Sequence, residues 1–349
     1  MPGRDRAAKD ALQSRPSGGP GALPGSAKGG WPVDDAIGVG RILGKTAAQI
    51  ALIGAVLAVT TAPAMAARTA QRGRGHPNSV PVGVDISYPQ CGRTLPTGQA
   101  FGIIGVNDGF ANASNPCLEA ELDGAVHSST GASSQPRASV YVNTTDPGNS
   151  YNGQLVRDWP VSGSTPFGAC RTTIQGGHVV GQNSAACAWE YGYQKAAQDV
   201  SWLQRYASEP PATRAEVWWL DVTQEYAAVS GVPTEASGYH WWLDVETGDV
   251  WQSSTKLNDA DLQGMVHALR QAGVASLGAY STTYQWDQIA GGTTTTAAGS
   301  LYALSDWIPG ATSLSGAERN CGQPPFTGGR VIVTQWSGGR YDGDYACRR

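Results

Sequence analysis

His240-Trp241-Trp242-Leu243-Asp244-Val245-Glu246-Thr247-Gly248 reads as a short apolar strand that ends in two acids. Side chains alternate along a strand, so Asp244 and Glu246 point the same way. Two residues of strand rise set their carboxyl groups roughly 5–8 Å apart. Two carboxyl groups at that spacing are able to flank one glycosidic bond, and each raises the cost of ionising the other. A lone Asp-x-Glu is equally a helix cap followed by a surface ion pair, so its surroundings decide.

Working outward, apolar runs bounded by turn residues predict further buried strands at Val80–Ser87, Phe101–Val106, Ala138–Asn143, Ser276–Ser281, Leu301–Ile308 and Arg330–Trp336. Helical spacing falls between them, at Cys117–Ser128, Ala185–Tyr206 and Leu257–Ala272, with Asn258 and Gly273 as expected caps. Alternating strands and helices predict an α/β fold, a mostly parallel, irregular TIM-like (β/α) barrel in a single domain. Thr144–Ser184 reads as a long irregular stretch, and such a stretch inside a domain is usually functional or disulfide-held. Trp218-Trp219-Leu220-Asp221-Val222 nearly repeats the segment 23 residues later. The second copy is taken as the barrel strand because it alone carries both acids.

The first 38 residues are rich in Gly, Pro, Ala and charge, which predicts a disordered extension. Residues 39–66 carry Arg41 and Lys45, an apolar run from Ile50 to Thr61 and Ala64-Met65-Ala66, the pattern of a cleavable signal peptide. The run is short for a membrane span, so no stable insertion is expected after cleavage. Residues 67–79 read as a linker and 80–349 as the barrel domain. Residues 68–349 hold 17 basic and 24 acidic residues, a net of −7 with no basic stripe, so nucleic acid is excluded as a partner.

The six cysteines, Cys91, Cys117, Cys170, Cys187, Cys321 and Cys347, all follow the signal and form no C-x-x-C pair. An even count after an export signal predicts three disulfides in a secreted, extracellular or wall-associated protein. Six cysteines allow fifteen pairings, and the simplest joins neighbours. The five histidines show no ligand spacing, so neither metal nor cofactor is expected. There is no Gly-x-Ser-x-Gly elbow and no cysteine that reads as free, which disfavours serine or cysteine nucleophiles. Twelve Trp against four Phe suit core packing and sugar stacking equally.

Gly83-Val84-Asp85-Ile86-Ser87, Leu243-Asp244-Val245-Glu246, Gly278-Ala279-Tyr280-Ser281, and Thr334-Gln335-Trp336 with Asp344, taken in this order, resemble glycoside hydrolase family 25, the Chalaropsis-type lysozymes or N-acetylmuramidases. The order also resembles secreted actinobacterial proteins with a family-25-like barrel. The resemblance covers residues 80–349. It implies an irregular (β/α) barrel whose site lies at the C-terminal strand ends, hydrolysing the β-1,4 bond after N-acetylmuramic acid in peptidoglycan. It further implies Glu246 as general acid and Asp244 as the partner that stabilises oxocarbenium-like charge or orients the acetamido group. Asp85 and Asp344, with Asp342 as a substitute, match the remaining acids. The pattern departs from the family at Tyr88-Pro89-Gln90, where a proline separates an aromatic–Gln pair.

Tyr88, Tyr280, Trp251, Trp286, Trp307, Trp336 and Gln335 follow or end strands, where they are expected to line a sugar groove. The leading expectation is a monomeric exported glycoside hydrolase acting on a wall polysaccharide. Another polysaccharide on the same barrel fits the tryptophans equally, and the alternative from a different class is a catalytically silent barrel that binds wall glycan or a partner protein.

Overall fold

The computed structural model describes residues 81–94, 96–109, 111–208, 232–292 and 299–348. The expected extension, signal peptide and linker, and the first Trp-Trp-Leu-Asp-Val copy, lie outside the described residues.

Eight strands close a barrel. In chain order they include β1 (Val82–Ile86), β2 (Gly102–Gly105) and β3 (Ala138–Asn143). Six short strands then form three separate hairpins: β4 (Ser150–Tyr151) with β5 (Gln154–Leu155), β6 (Gly163–Thr165) with β7 (Gly168–Cys170), and β8 (Thr172–Gln175) with β9 (His178–Gly181). The barrel resumes with β10 (His240–Asp244), β11 (Ser276–Tyr280), β12 (Ser305–Ala311), β13 (Arg330–Trp336) and β14 (Asp342–Ala346). Around the ring the order is β1-β14-β13-β12-β11-β10-β3-β2. Only β14 runs antiparallel to its neighbours.

The helices are α1 (Leu118–Ser128), α2 (Ala185–Ser208), α3 (Thr255–Gln271), α4 (Thr283–Ala290) and α5 (Leu314–Asn320). Local chemistry sets their ends. The Thr282 side chain accepts a hydrogen bond from the Gln285 N–H, and Ser313 accepts one from Gly316, each satisfying a free first-turn donor. Gly273, at φ +82°, takes the left-handed position after α3, where a side chain would be strained.

Alternation along β10 divides its side chains between two cores. Trp241 and Leu243 face outward into the large cluster under the helices, with Val140, Val142, Leu262 and Leu269. Trp242 faces inward, into a smaller cluster with Ile103, Tyr141, Trp307 and Val333. Gly278 makes room for it, since a Cβ there would lie 2.3 Å from the Trp242 ring. Both tryptophans have no exposed surface, and burying a side chain of that size contributes about 1.5–3 kcal/mol or more.

Four sequence expectations need correction. The stretch from Thr144 to Ser184 is not irregular: Asn152-Gly153 and Gly176-Gly177 all have positive φ, as two-residue hairpin turns require. Asn258 does not cap α3. It is buried in the first turn, where its amide bonds the Gln252 backbone and the Ile289 carbonyl. The strand expected at Leu301–Ile308 begins at Ser305, because Ala303 turns the chain at φ +62°. The sequence also leaves the closing part without any expected helix, yet α4 and α5 both lie there. The three disulfides join neighbours: Cys91–Cys117, Cys170–Cys187 and Cys321–Cys347.

Candidate active site

The barrel register gathers acids at the mouth formed by the C-terminal ends of the parallel strands. Asp244 ends β10 and stands beside Tyr280 of β11 on one side and Asn143 of β3 on the other. Asp85, near the end of β1, stands beside Asp342 of β14. Because β14 runs backwards, its first residues reach the mouth where its neighbours end, so Asp344 pairs with Gln335 of β13.

Backbone bonds fix the Asp244–Glu246 step. The Asp244 carbonyl accepts from the Thr144 N–H at 3.3 Å and from its hydroxyl at 2.5 Å. Val245 donates to the Tyr280 carbonyl at 2.9 Å and accepts from the Ser281 hydroxyl at 2.7 Å. Val245 is fully buried in the outer core. The Glu246 carbonyl closes a short loop by accepting from the Trp251 indole at 2.8 Å and the Asp249 N–H at 3.1 Å. Gln285 of α4 accepts from Thr247, through both its backbone N–H and its hydroxyl. Glu246 is half-buried and Asp244 buried.

Tyr280 is the common neighbour of the acids. Its hydroxyl donates to Gln335 Oε1 at 2.8 Å, and Gln335 Nε2 donates to Asp85 Oδ2 at 3.0 Å. Burial first, then the charges of Glu246, Asp244, Asp85 and Asp342, hold the Tyr280 phenol well above its ordinary range. A phenol so placed stays neutral and keeps its proton as a donor. Its ring meets Trp307 edge-on at 4.4 Å.

Asp344 differs from the other acids. It has no exposed surface, and its Oδ1 accepts from the Trp307 indole at 2.9 Å. Burial, then the charge of Asp85 and a hydrogen bond to it, push the Asp344 carboxyl well above the usual carboxylate range. It is therefore a buried acid beneath the mouth, packed beside Asp85. Of the two acids of β14, the half-buried one is Asp342.

The remaining expected site residues divide. Tyr88 is half-buried in a short 3-10 turn directly after β1, and Trp251 is half-buried in the Glu246 loop. Trp286 is corrected: it has no exposed surface and packs on Phe326, so it belongs to the core. Trp307 is an inner wall below the mouth rather than a groove surface, with 2% exposure. Trp336 points to the opposite face of β13 from Gln335. Its ring covers Gly343, where a Cβ would come within 2.1 Å. Sequence reasoning did not single out Asn143 and Ser281, polar residues at or just past strand ends, or Gln285 in the first turn of α4. Among the described residues, one His/Cys/Asp/Glu group has ligand-like spacing, Cys91, Cys117 and Glu121, and both of its sulfurs are locked in a disulfide.

A family model described as "Lysozyme-like protein 1" matches residues 212–304, a minority of the chain that holds Asp244 and Glu246 but not Asp85 or Asp344. No curated protein is matched. Among solved structures, the chain is similar to a muramidase from Trichobolus zukalii, with 14% identity, a TM-score of 0.40, and coverage of 78% of this chain and 95% of that one. A muramidase from Acremonium alcalophilum follows at 15% identity and TM-score 0.40, covering 77% and 94%. A bacterial lysozyme from Streptomyces coelicolor follows at 13% and 0.39, covering 77% and 93%.

Proposed function

We propose that this chain is an exported glycoside hydrolase that cleaves β-1,4 bonds of peptidoglycan, with Glu246 as general acid and Asp244 and Asp85 assisting. The observation that carries the reading is the convergence of Glu246, Asp244, Asp85 and Asp342 on the Tyr280 phenol at the barrel mouth. Four acids around one neutral donor suit a reaction that protonates a leaving oxygen while positive charge grows on a sugar ring. Glu246, half-buried on a braced loop, supplies the proton. Asp244 carries the counter-charge or orients the acetamido group. Asp85, held by Gln335 and packed beside buried Asp344, stays in place on the opposite wall. Three disulfides support an oxidising, extracellular destination.

The test incubates the purified domain with peptidoglycan and identifies the released sugars by mass spectrometry, beside Glu246→Gln. Fragments with reducing-end N-acetylmuramic acid, absent with the variant, are the expected result. No release by either protein, with both still bound to the wall, turns the reading to a silent wall-binding barrel.

A further inference from the structure

Between β3 and α2 the chain leaves the barrel as the three hairpins and returns. This arm holds five of the seven exposed large apolar side chains among the described residues: Tyr151, Val161, Phe167, Ile174 and Val179. Ile174 and Val179 are direct cross-strand partners on the last hairpin, and their side chains share one face. They are 77% and 68% exposed, on a two-stranded sheet with both edges open. Apolar side chains gathered this way mark an interaction surface.

The arm is held rigidly. The Cys170–Cys187 disulfide ties it to the first turn of α2. Trp159 is buried against Tyr191, and its indole donates to the Gln182 carbonyl at 3.1 Å. Its stem is also bonded to the loop that carries Glu246. The Thr145 hydroxyl and the Asp146 N–H both donate to the Val250 carbonyl at 2.9 Å, and Gln252 Nε2 donates to Asp146 Oδ1 at 2.7 Å. The arm is thus anchored at its stem to the same loop that carries Glu246.

Charge narrows the ligand. From Gly148 to Asn183 the fully charged residues are Arg157, Asp158 and Arg171. Asp158 is already paired with Lys195 of α2 at 2.6 Å, which leaves two exposed arginines among Asn, Gln, Ser and Thr. The chain as a whole carries net −4. We infer that the arm is a docking surface for the uncleaved polymer, a peptidoglycan strand whose stem-peptide carboxylates meet Arg157 and Arg171 while its apolar faces pack on Phe167, Ile174 and Val179. This inference rests on the hydrolase reading above for the identity of the polymer.

The test is co-sedimentation with purified, insoluble peptidoglycan sacculi, with every protein carrying Glu246→Gln so that the polymer stays intact. The protein with an unaltered arm is expected to sediment. Phe167→Ser with Ile174→Ser and Val179→Ser is expected to weaken binding about tenfold with an unchanged thermal midpoint. Arg157→Ser with Arg171→Ser is expected to weaken it less and to remove most of its salt sensitivity. Sedimentation of the apolar variant equal to that of the unaltered arm overturns the inference, as does no sedimentation of either. So does a change in oligomeric state on mutating the arm, which makes a second copy the occupant, or an equal loss of binding to phosphatidylglycerol vesicles, which makes it lipid. Sugar release by the protein with Glu246 restored scores the hydrolase reading separately. Release with unaltered arm binding sinks the arm alone, and arm-dependent binding without release sinks the hydrolase alone.

Discussion

Two tyrosines in this molecule each stand among four acids, and they do so for opposite reasons. At the mouth, Tyr280 feels Glu246, Asp244, Asp85 and Asp342. Beneath the arm, Tyr191 of α2 feels Asp158, Asp261, Asp146 and Asp199, and burial with these charges raises its phenol beyond the ordinary range. The mouth ring is built from strand ends and includes half-buried acids at the opening. Three of the inner four are shut in: Asp146, Asp199 and Asp261 have at most 1% exposure, while Asp158 is exposed and paired with Lys195. Asp199 bonds Asn107 at 3.2 Å, and Asp146 bonds Gln252 and the Gly148 N–H. Asp261 has no hydrogen-bond partner on either oxygen among the described residues. Burial pushes Asp199 and Asp261 well above the usual carboxylate range and Asp146 to about 6. The same residue type is thus open to solvent at the mouth and loads the fold where water does not reach it.

The largest effect that separates the rings is on turnover. Glu246→Gln is expected to lower kcat on peptidoglycan about 10²–10⁴-fold with little change in thermal midpoint. A variant with near-normal turnover removes the mouth ring from the chemistry.

The next effect is on stability against pH. A carboxyl whose folded pKa is raised binds its proton more tightly when folded, so its contribution is complete below its unfolded value, near 4. It is lost as pH rises through the folded value. For Asp146 the window runs from about 4 to about 6, with a cost on the order of 3 kcal/mol above it. Asp199 and Asp261 extend the loss to higher pH. Thermal denaturation is expected to show a higher midpoint at pH 5 than at pH 8. A flat or rising midpoint over that range breaks the contrast between the rings.

Asp261→Asn sharpens it. Removing a buried acid that no donor satisfies is expected to raise stability at pH 8 by about 1–3 kcal/mol, to shrink the difference between pH 5 and pH 8, and to leave turnover unchanged. Chemical denaturation at the two pH values measures both. The smallest effect belongs to the relay at the mouth. Gln335→Leu strips the Tyr280 hydroxyl of its acceptor and Asp85 of a donor, and is expected to lower kcat about tenfold. Equal turnover shows that the Gln335 bond is not what holds Asp85.

Much of the barrel is legible in sequence because apolar strands buried on both faces leave uninterrupted runs. Ala138–Asn143 and Arg330–Trp336 begin and end in the structure where those runs do, and β10 starts at His240 as expected but stops at Asp244, leaving Glu246 on the following loop. The hairpin arm is hidden by its lack of alternation. Its strands are two to four residues long, and the visible signals are the turn pairs Asn152-Gly153 and Gly176-Gly177. At the mouth, Asp244, Glu246 and Asp85 are readable as acids at strand ends. The difference in burial between Asp342 and Asp344 is not, because it depends on which carboxyl the Trp307 indole covers. Trp286 misleads for a related reason: a tryptophan five residues past a predicted strand looks like a rim residue until a helix turns it inward.

The backward strand β14 also sets a timetable. It seals the ring by pairing with β1 on one edge and β13 on the other. The Gln335–Asp85 bond spans 250 residues of chain. On a ribosome, β14 is the last of the eight strands to emerge, and until it docks the barrel has two open edges and Asp85 lacks both Asp342 and Asp344. The centre at the mouth is therefore assembled at the end of folding, by the slowest kind of contact, between distant parts of the chain. A chain still in transit through the cell carries all of the acids and none of their arrangement.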